Sequence, residues 1–229
     1  MSAKFEIIHP GDSPALKVDL PQGESVYAEG GAMVSMTPAI KVEGSMRGGL
    51  LGALSRKIFR GETFFYQTLT AASGDGQVLL APAPPGEIIL LEMDGSLSYL
   101  VQKGSFLMAS RTVTLQSKMQ NLTKGLFSGE GFFISEVTGQ GTLALNSFGA
   151  VHRVDLAANE EYVVDNSHLV AWTSTTSYKI QKSSSGWISS LTSGEMLVCR
   201  FKGPGTVYIQ TRNPSAFGGW VSAYIPTKG

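Results

Sequence analysis

The sequence predicts an all-β fold: three repeated antiparallel β units in one compact subunit, with short amphipathic helices as inserts. Three observations predict it. A Gly-x-Gly pair followed by alternating apolar residues recurs at Gly74-Asp75-Gly76, Gly139-Gln140-Gly141 and Gly203-Pro204-Gly205, with spacings of 65 and 64 residues. Most remaining apolar segments alternate with period two, the signature of a half-buried strand. Glycine supplies 27 of the 229 residues, well above the usual share of about 7%, and it sits where turns are needed.

Taken in chain order, alternation places strands at Lys4–Ile8, Leu16–Leu20, Val26–Ala28, Phe64–Leu69, Thr112–Leu115, Val151–Leu156 and Tyr178–Ile180. Two further elements accompany each Gly-x-Gly pair. One is a strand led by glutamate, at Glu62-Thr63-Phe64, Glu130-Gly131-Phe132 and Glu195-Met196-Leu197. The other begins Gly31-Ala32-Met33, Gly104-Ser105-Phe106 and Asn166-Ser167-His168, where Asn replaces Gly as the residue most tolerant of positive φ. The order of elements is the same each time, so the expectation is one domain over 1–229, with units near 1–85, 86–150 and 151–229. Gly74, Gly76, Gly139, Gly141, Gly203 and Gly205 are read as structural turn residues closing hairpins. Met93-Asp94-Gly95-Ser96 is expected to form another tight hairpin, because Asp-Gly suits a type I′ turn.

Each unit carries a divergent segment before its glutamate-led strand. In the first, Leu50, Leu51, Leu54 and Ile58 share one face of a predicted helix, with Arg56, Lys57 and Arg60 opposite and Phe59 between. In the second, Met119, Leu122 and Leu126 form the stripe; in the third, Trp187, Ile188 and Leu191. These three inserts are expected to be the only helices. Residues 41–60 hold five cations against Glu43, a local charge of +4 in a chain whose net charge is zero. Two readings of the basic segment stand. Its apolar face closes the β core or meets a protein partner, or the whole helix lies on an anionic membrane surface. Leu50, Leu51, Leu54, Arg56, Lys57, Ile58, Phe59 and Arg60 are the candidate contact residues.

Composition and motifs exclude several classes. With 42% hydrophobic and 16% charged residues the chain is not disordered. Zero net charge provides no overall attraction to phosphates, so nucleic acid is not an expected partner. Cys199 is the sole cysteine, so no intrachain disulfide forms. It lies in an apolar strand and reads as a small core residue. No nucleophile elbow, His-Glu-x-x-His or Walker A loop is present. The Gly-x-Gly pairs lack a third glycine and run into strands, which excludes the dinucleotide fingerprint. His9, His152 and His168 are far apart in sequence and read as strand or surface residues. No catalytic residue, metal or cofactor is assigned. The start of the chain carries Lys4 and Glu6 and no apolar run, and no stretch approaches 18 apolar residues. The expected placement is therefore cytoplasmic, with peripheral membrane contact through the basic segment.

Four segments then carry a resemblance: Glu29-Gly30-Gly31-Ala32-Met33, Gly48-Gly49-Leu50-Leu51-Gly52, Gly61-Glu62-Thr63-Phe64-Phe65 and Gly203-x-Gly205-x-Val207. Together they resemble the altered-inheritance-of-mitochondria family of mitochondrial biogenesis proteins, in the form of a compact bacterial member, over nearly the whole chain. The resemblance implies a fold like the tryptophan RNA-binding attenuation protein, a β-sandwich or double-stranded β-helix type. It also implies a homotrimer forming a pseudo-ninefold β ring. It implies no catalytic residues. The functional expectation is a non-enzymatic oligomeric scaffold or interaction protein. A ligand- or RNA-binding ring is the alternative, and a metal-dependent β-barrel enzyme lacks the His-x-His strand it needs.

Overall fold

Where side chains alternate along a strand, one face is buried and the register is fixed. In β2 (Ala15–Leu20) Leu16, Val18 and Leu20 are buried while Lys17 and Asp19 lie between them, half-exposed. The structure, a computed structural model, describes residues 2–44, 66–119, 133–182 and 197–225. Around β2 stand β1 (Lys4–Ile8), β3 (Ser25–Glu29), β4 (Met33–Met36), β5 (Ile40–Gly44), β6 (Tyr66–Ala71) and β7 (Gly76–Leu80). There follow β8 (Ile88–Asp94), β9 (Tyr99–Gln102), β10 (Phe106–Ser110), β11 (Val113–Met119) and the long β12 (Phe133–Asn146). The last group is β13 (Val151–Leu156), β14 (Glu161–Asp165), β15 (Leu169–Thr173), β16 (Ser177–Lys182), β17 (Leu197–Lys202) and β18 (Gly205–Gln210). One helix, α1 (Pro214–Ser222), closes the described chain.

The result is a mostly β fold of antiparallel sheets. One sheet runs β1-β2-β7-β4, a large one runs from β13 through β18, β15, β9, β12, β10, β3 and β6 to β5, and a third runs β14-β17-β16. One pairing scheme recurs. β2 pairs with β7, β8 with the second half of β12, and β13 with β18. On their other sides these partners take β4, β10 and β15. Each of those last three ladders is interrupted by a register shift, between Met33 and Ser35, Phe106 and Met108, and Leu169 and Ala171. A bulge of this kind adds local twist and bends the strand.

The core is three adjoining clusters. The first gathers Leu16, Val18, Leu69, Val78 and Leu80 with Leu107 and Met108. The second joins Tyr27 and Tyr66 to Leu115, Val137, Leu143 and Tyr208. The third centres on Trp172, Phe201 and Val207. There the Trp172 and Phe201 rings meet edge-on at 5.4 Å, and Trp172 and Tyr178 at 4.9 Å.

Four expectations are corrected. First, the Gly-x-Gly segments do not close hairpins. β6 pairs with β3 and β5, whereas β7 pairs with β2 and β4. β17 pairs with β14 and β16, whereas β18 pairs with β13 and β15. Gly139 and Gly141 lie inside β12, which is bonded to β11 and β9 before them and to β8 and β10 after them. The glycines stand where the chain changes sheet partners. Second, Asp94-Gly95 is not a type I′ hairpin. Only Gly95 has positive φ, at 87°. The Asp94 carboxylate instead accepts bonds from the Ser96 amide (2.8 Å) and hydroxyl (2.6 Å), and β8 and β9 pair elsewhere. Third, Asn166 does not take a left-handed conformation. It begins a 3-10 turn capped by Asp165, whose carboxylate accepts from the Ser167 amide. Fourth, α1 is a helix that the three inserts were expected to leave no room for. Met119, expected to begin the second helical stripe, instead ends β11 and pairs with Phe133; the rest of the three inserts falls in 45–65, 120–132 and 183–196, outside the described residues.

Gly141 has φ 130°, and a Cβ there would stand 2.7 Å from the Ser110 Cβ. Gly141→Val is expected to lower stability by about 1–3 kcal/mol from backbone strain alone. Gly44, with open space around it, serves as the control: Gly44→Ala should stay within about 0.5 kcal/mol. Urea denaturation midpoints of the two variants check both.

Candidate interaction surface

Several titratable groups are held by neighbouring polar groups. His152 on β13 and His168 after β14 are brought to one cleft of about 410 Å³, with Tyr162, Asp165 and Gln210 in its wall. Sequence separation hid that meeting. It is no ligand set, however. The His168 Nδ1 lies 2.7 Å from the Gln210 carbonyl oxygen, and the Asp165 carboxylate accepts from Ser167. Asp155 accepts from Arg153 and Thr206, and Glu92 accepts from the Thr142 hydroxyl at 2.9 Å. Among the described residues no three His, Cys, Asp or Glu side chains gather as metal ligands. Cys199 is fully buried, and desolvation pushes its thiol up to about 12. Burial, with the Cys199 charge beside it, also pushes the Tyr178 phenol up to about 12. A thiol held neutral in this way is inert as a nucleophile.

Two strand edges are built differently from their counterparts. β10 is bonded to β12 on one side and β3 on the other. β15 is bonded to β18 and β9. β4, which faces β7 as β10 faces β12 and β15 faces β18, has no second strand among the described residues. Side chains record the difference. Leu107 and Ala109 in β10, and Val170 and Trp172 in β15, have no exposed surface. Val34 and Met36, at the same offsets from the bulge in β4, are 59% and 42% exposed. At the other end β14 is bonded, among the described residues, only to β17, whereas β3 and β9 each have a partner on both sides. Val163 of β14 is 47% exposed. Open strand edges with apolar side chains are templates for pairing with another chain.

Beside them stands α1. Asn213 caps it, its Oδ1 accepting from the Ala216 amide at 3.1 Å, and Pro214 occupies the first turn. Its aromatic side chains continue a stack. Phe148 meets Phe217 at 5.1 Å, Phe217 meets Trp220 at 5.8 Å, and Trp220 meets Tyr224 at 5.3 Å between ring centres. Arg212 lies over the Phe148 ring at 5.9 Å. Trp220 is 60% and Tyr224 73% exposed. Sequence reading missed this element, although Asn213-Pro214 followed by Phe217, Trp220, Val221 and Tyr224 at three- and four-residue spacing is a helix signal.

The basic segment, Leu50 to Arg60, lies outside the described residues, as do Glu62, Glu130 and Glu195. No described helix is long and apolar enough to cross a membrane.

Among the described residues these features define a mostly β protein whose distinctive surface is open strand edge and exposed aromatic ring. Residues 5–212 match the model of the mitochondrial biogenesis AIM24 family, and the chain belongs to that family. An uncharacterized protein of Streptococcus pyogenes is 35% identical over 98% of this chain and 92% of its own length. A crystal structure of a Streptococcus pyogenes protein superposes with a TM-score of 0.82 at 33% identity, covering 97% of this chain and all of the other. The altered inheritance of mitochondria protein 24 of Aspergillus flavus, named as mitochondrial, is 26% identical over 93% of this chain. The chain spans 62% of that fungal protein's length and 40% of its Talaromyces stipitatus counterpart's. The fungal names overturn the cytoplasmic placement, with or without peripheral membrane contact, expected from the sequence. That expectation rested on where this chain begins, and the fungal proteins extend beyond the part it spans.

The raised Cys199 and Tyr178 groups set an alkaline limit. Burial of their neutral forms contributes stability that is whole below about pH 9, the unfolded thiol's value, and lost as pH rises toward 12. Melting temperature should fall across that window and fall less in Cys199→Ala. At pH 8 a thiol reagent should titrate no cysteine in the folded protein and one after denaturation.

Proposed function

We propose that this chain is one subunit of a closed head-to-tail homo-oligomer, a homotrimer, serving as a non-enzymatic scaffold. In this reading residues 1–85, 86–150 and 151–229 are three copies of one β unit, curled as in the tryptophan RNA-binding attenuation protein. The recurrent pairing scheme and the three bulges at matching positions support it. So does the way successive units join. A strand of the first unit, β3, bonds to β10 of the second, and β9 of the second bonds to β15 of the third. The same junction applied once more joins β14 of one copy to β4 of the next.

The observation that carries the proposal is the pair of edges, β4 and β14, that no other described strand meets, with exposed Val34, Met36 and Val163. Heterologous contacts either close into rings or grow as fibres, and closure leaves none of these edges open. Three subunits is the number implied by the family resemblance. The absence of a catalytic motif in the sequence, and the engaged state of several described titratable groups, support a scaffold rather than an enzyme.

Light scattering of the purified protein should give about three times the 24.4 kDa subunit mass. Replacing Val34 and Met36 by lysine together should release monomers with an unchanged circular dichroism spectrum, because charged side chains on an edge oppose pairing. A wild-type protein that is monomeric at tens of micromolar sinks the proposal.

A further inference from the structure

We infer that the aromatic face of α1 is the seat for the proline segment Ala81–Pro85 of the neighbouring copy. The inference rests on the head-to-tail reading and specifies a second contact beside the β14–β4 edge.

Three loops, each following the last strand of a unit, lie against one another in order. The loop after β7 meets the loop after β12 through the Gly149 amide on the Pro85 carbonyl and the Glu87 amide on the Gly149 carbonyl, both at 3.0 Å. Gly86 fits there because any Cβ would strike the Ser147 carbonyl oxygen. The loop after β12 in turn meets the loop after β18. The Arg212 amide donates to the Phe148 carbonyl at 3.2 Å, and the Thr211 amide to the Ala150 carbonyl at 3.0 Å. Of these three loops the middle one bonds to both of the others, which leaves two outer ones. One leads into α1. The other is Ala81-Pro82-Ala83-Pro84-Pro85, in which Ala83 and Pro85 are exposed. In the head-to-tail order the Asn213 end of α1 in one copy falls beside Pro82–Pro84 of the next, but without the amide bonds of the other two junctions, because Pro82, Pro84 and Pro85 have no N–H.

The chemistry of the two faces matches. Three prolines in four residues favour an extended polyproline conformation, which loses little freedom on binding and presents flat ring faces. Proline segments of this kind dock in grooves lined by aromatic side chains. α1 offers such a groove: a cleft of about 330 Å³ formed by Arg212, Asn213, Ala216, Phe217 and Trp220. No charged residue occurs from Pro214 to Ile225, so nothing on the helix opposes burial. The polar contact left to a proline segment is through its carbonyl groups, and Arg212 stands at the cleft as a donor.

Disulfide trapping tests the contact on the full chain. Ala83→Cys and Ala216→Cys, each in a Cys199→Ala background, are mixed, exchanged and oxidised. A disulfide joining one chain of each kind is expected on mixing, and little from either variant alone. Trp220→Ala should raise the oligomer's dissociation constant about tenfold or more, as loss of a central aromatic anchor does, with an unchanged circular dichroism spectrum. An intact oligomer with no mixed disulfide and no effect of Trp220→Ala overturns the inference and leaves the head-to-tail reading standing. If that oligomer instead binds neutral lipid vesicles through Trp220, the face belongs to a bilayer and the inference is equally overturned. A monomeric wild type removes both.

Discussion

A strand that leaves one sheet for another must bend without abandoning its hydrogen bonds, and the rest of this fold depends on how the chain does so. An unpaired backbone amide in the interior costs about as much as a lost hydrogen bond. The Gly-x-Gly segments meet that constraint. In β12 the ladder to β11 runs up to Gly139, opposite Val113, and the ladder to β8 is in force by Gln140, opposite Asp94. Positive φ at Gly139 and Gly141 gives the bend, and their missing Cβ atoms let Thr112 and Ser110 approach. Because the strand turns there, one face of β12 closes on Leu115 and the other end on Leu91 and Ala109. The continuity of the three core clusters follows from that turn.

Strand identity was legible where burial follows period two, as in β2, and less so in β10 and β15, which are buried on both faces. Lys4–Ile8 and Val151–Leu156 appear with the bounds that alternation assigned. Pairing was not legible. Glycine followed by alternation is compatible with a hairpin and with a sheet-to-sheet bend alike, since both need positive φ and neither leaves a local mark of which neighbour accepts the next bond. Asp94-Gly95 failed for a related reason. Asp94 satisfies the Ser96 amide with its own carboxylate, a local solution that needs no opposing strand. His152 and His168 were read as separate because only the pairing of β13 with β18, and of β15 with β18, sets them around one cleft. The helix α1 was legible too, in the Asn213-Pro214 cap followed by Phe217, Trp220, Val221 and Tyr224 at three- and four-residue spacing.

The two ends of the described chain are alike in being unfinished. At one, Val34 and Met36 stand exposed where Leu107, Ala109, Val170 and Trp172 are wholly buried. At the other, β14 and α1 present exposed Val163 and the exposed rings of Trp220 and Tyr224. Neither surface resembles a catalytic cleft, whose mark is a few polar groups converging with displaced titration. Here the two strongly displaced groups, Cys199 and Tyr178, lie in the third core cluster, where displacement records dryness rather than chemistry.

The length of β12 has a mechanical meaning. Its 14 residues reach about 45 Å at the usual rise per residue. Along that reach it is bonded to β11 and β9, then to β8 and β10. A pull along its axis loads those ladders in shear, many bonds at once, instead of peeling them one by one. The middle of the chain is thus a tie between the parts on either side, bent at Gly139 and Gly141 yet bonded to other strands along its length.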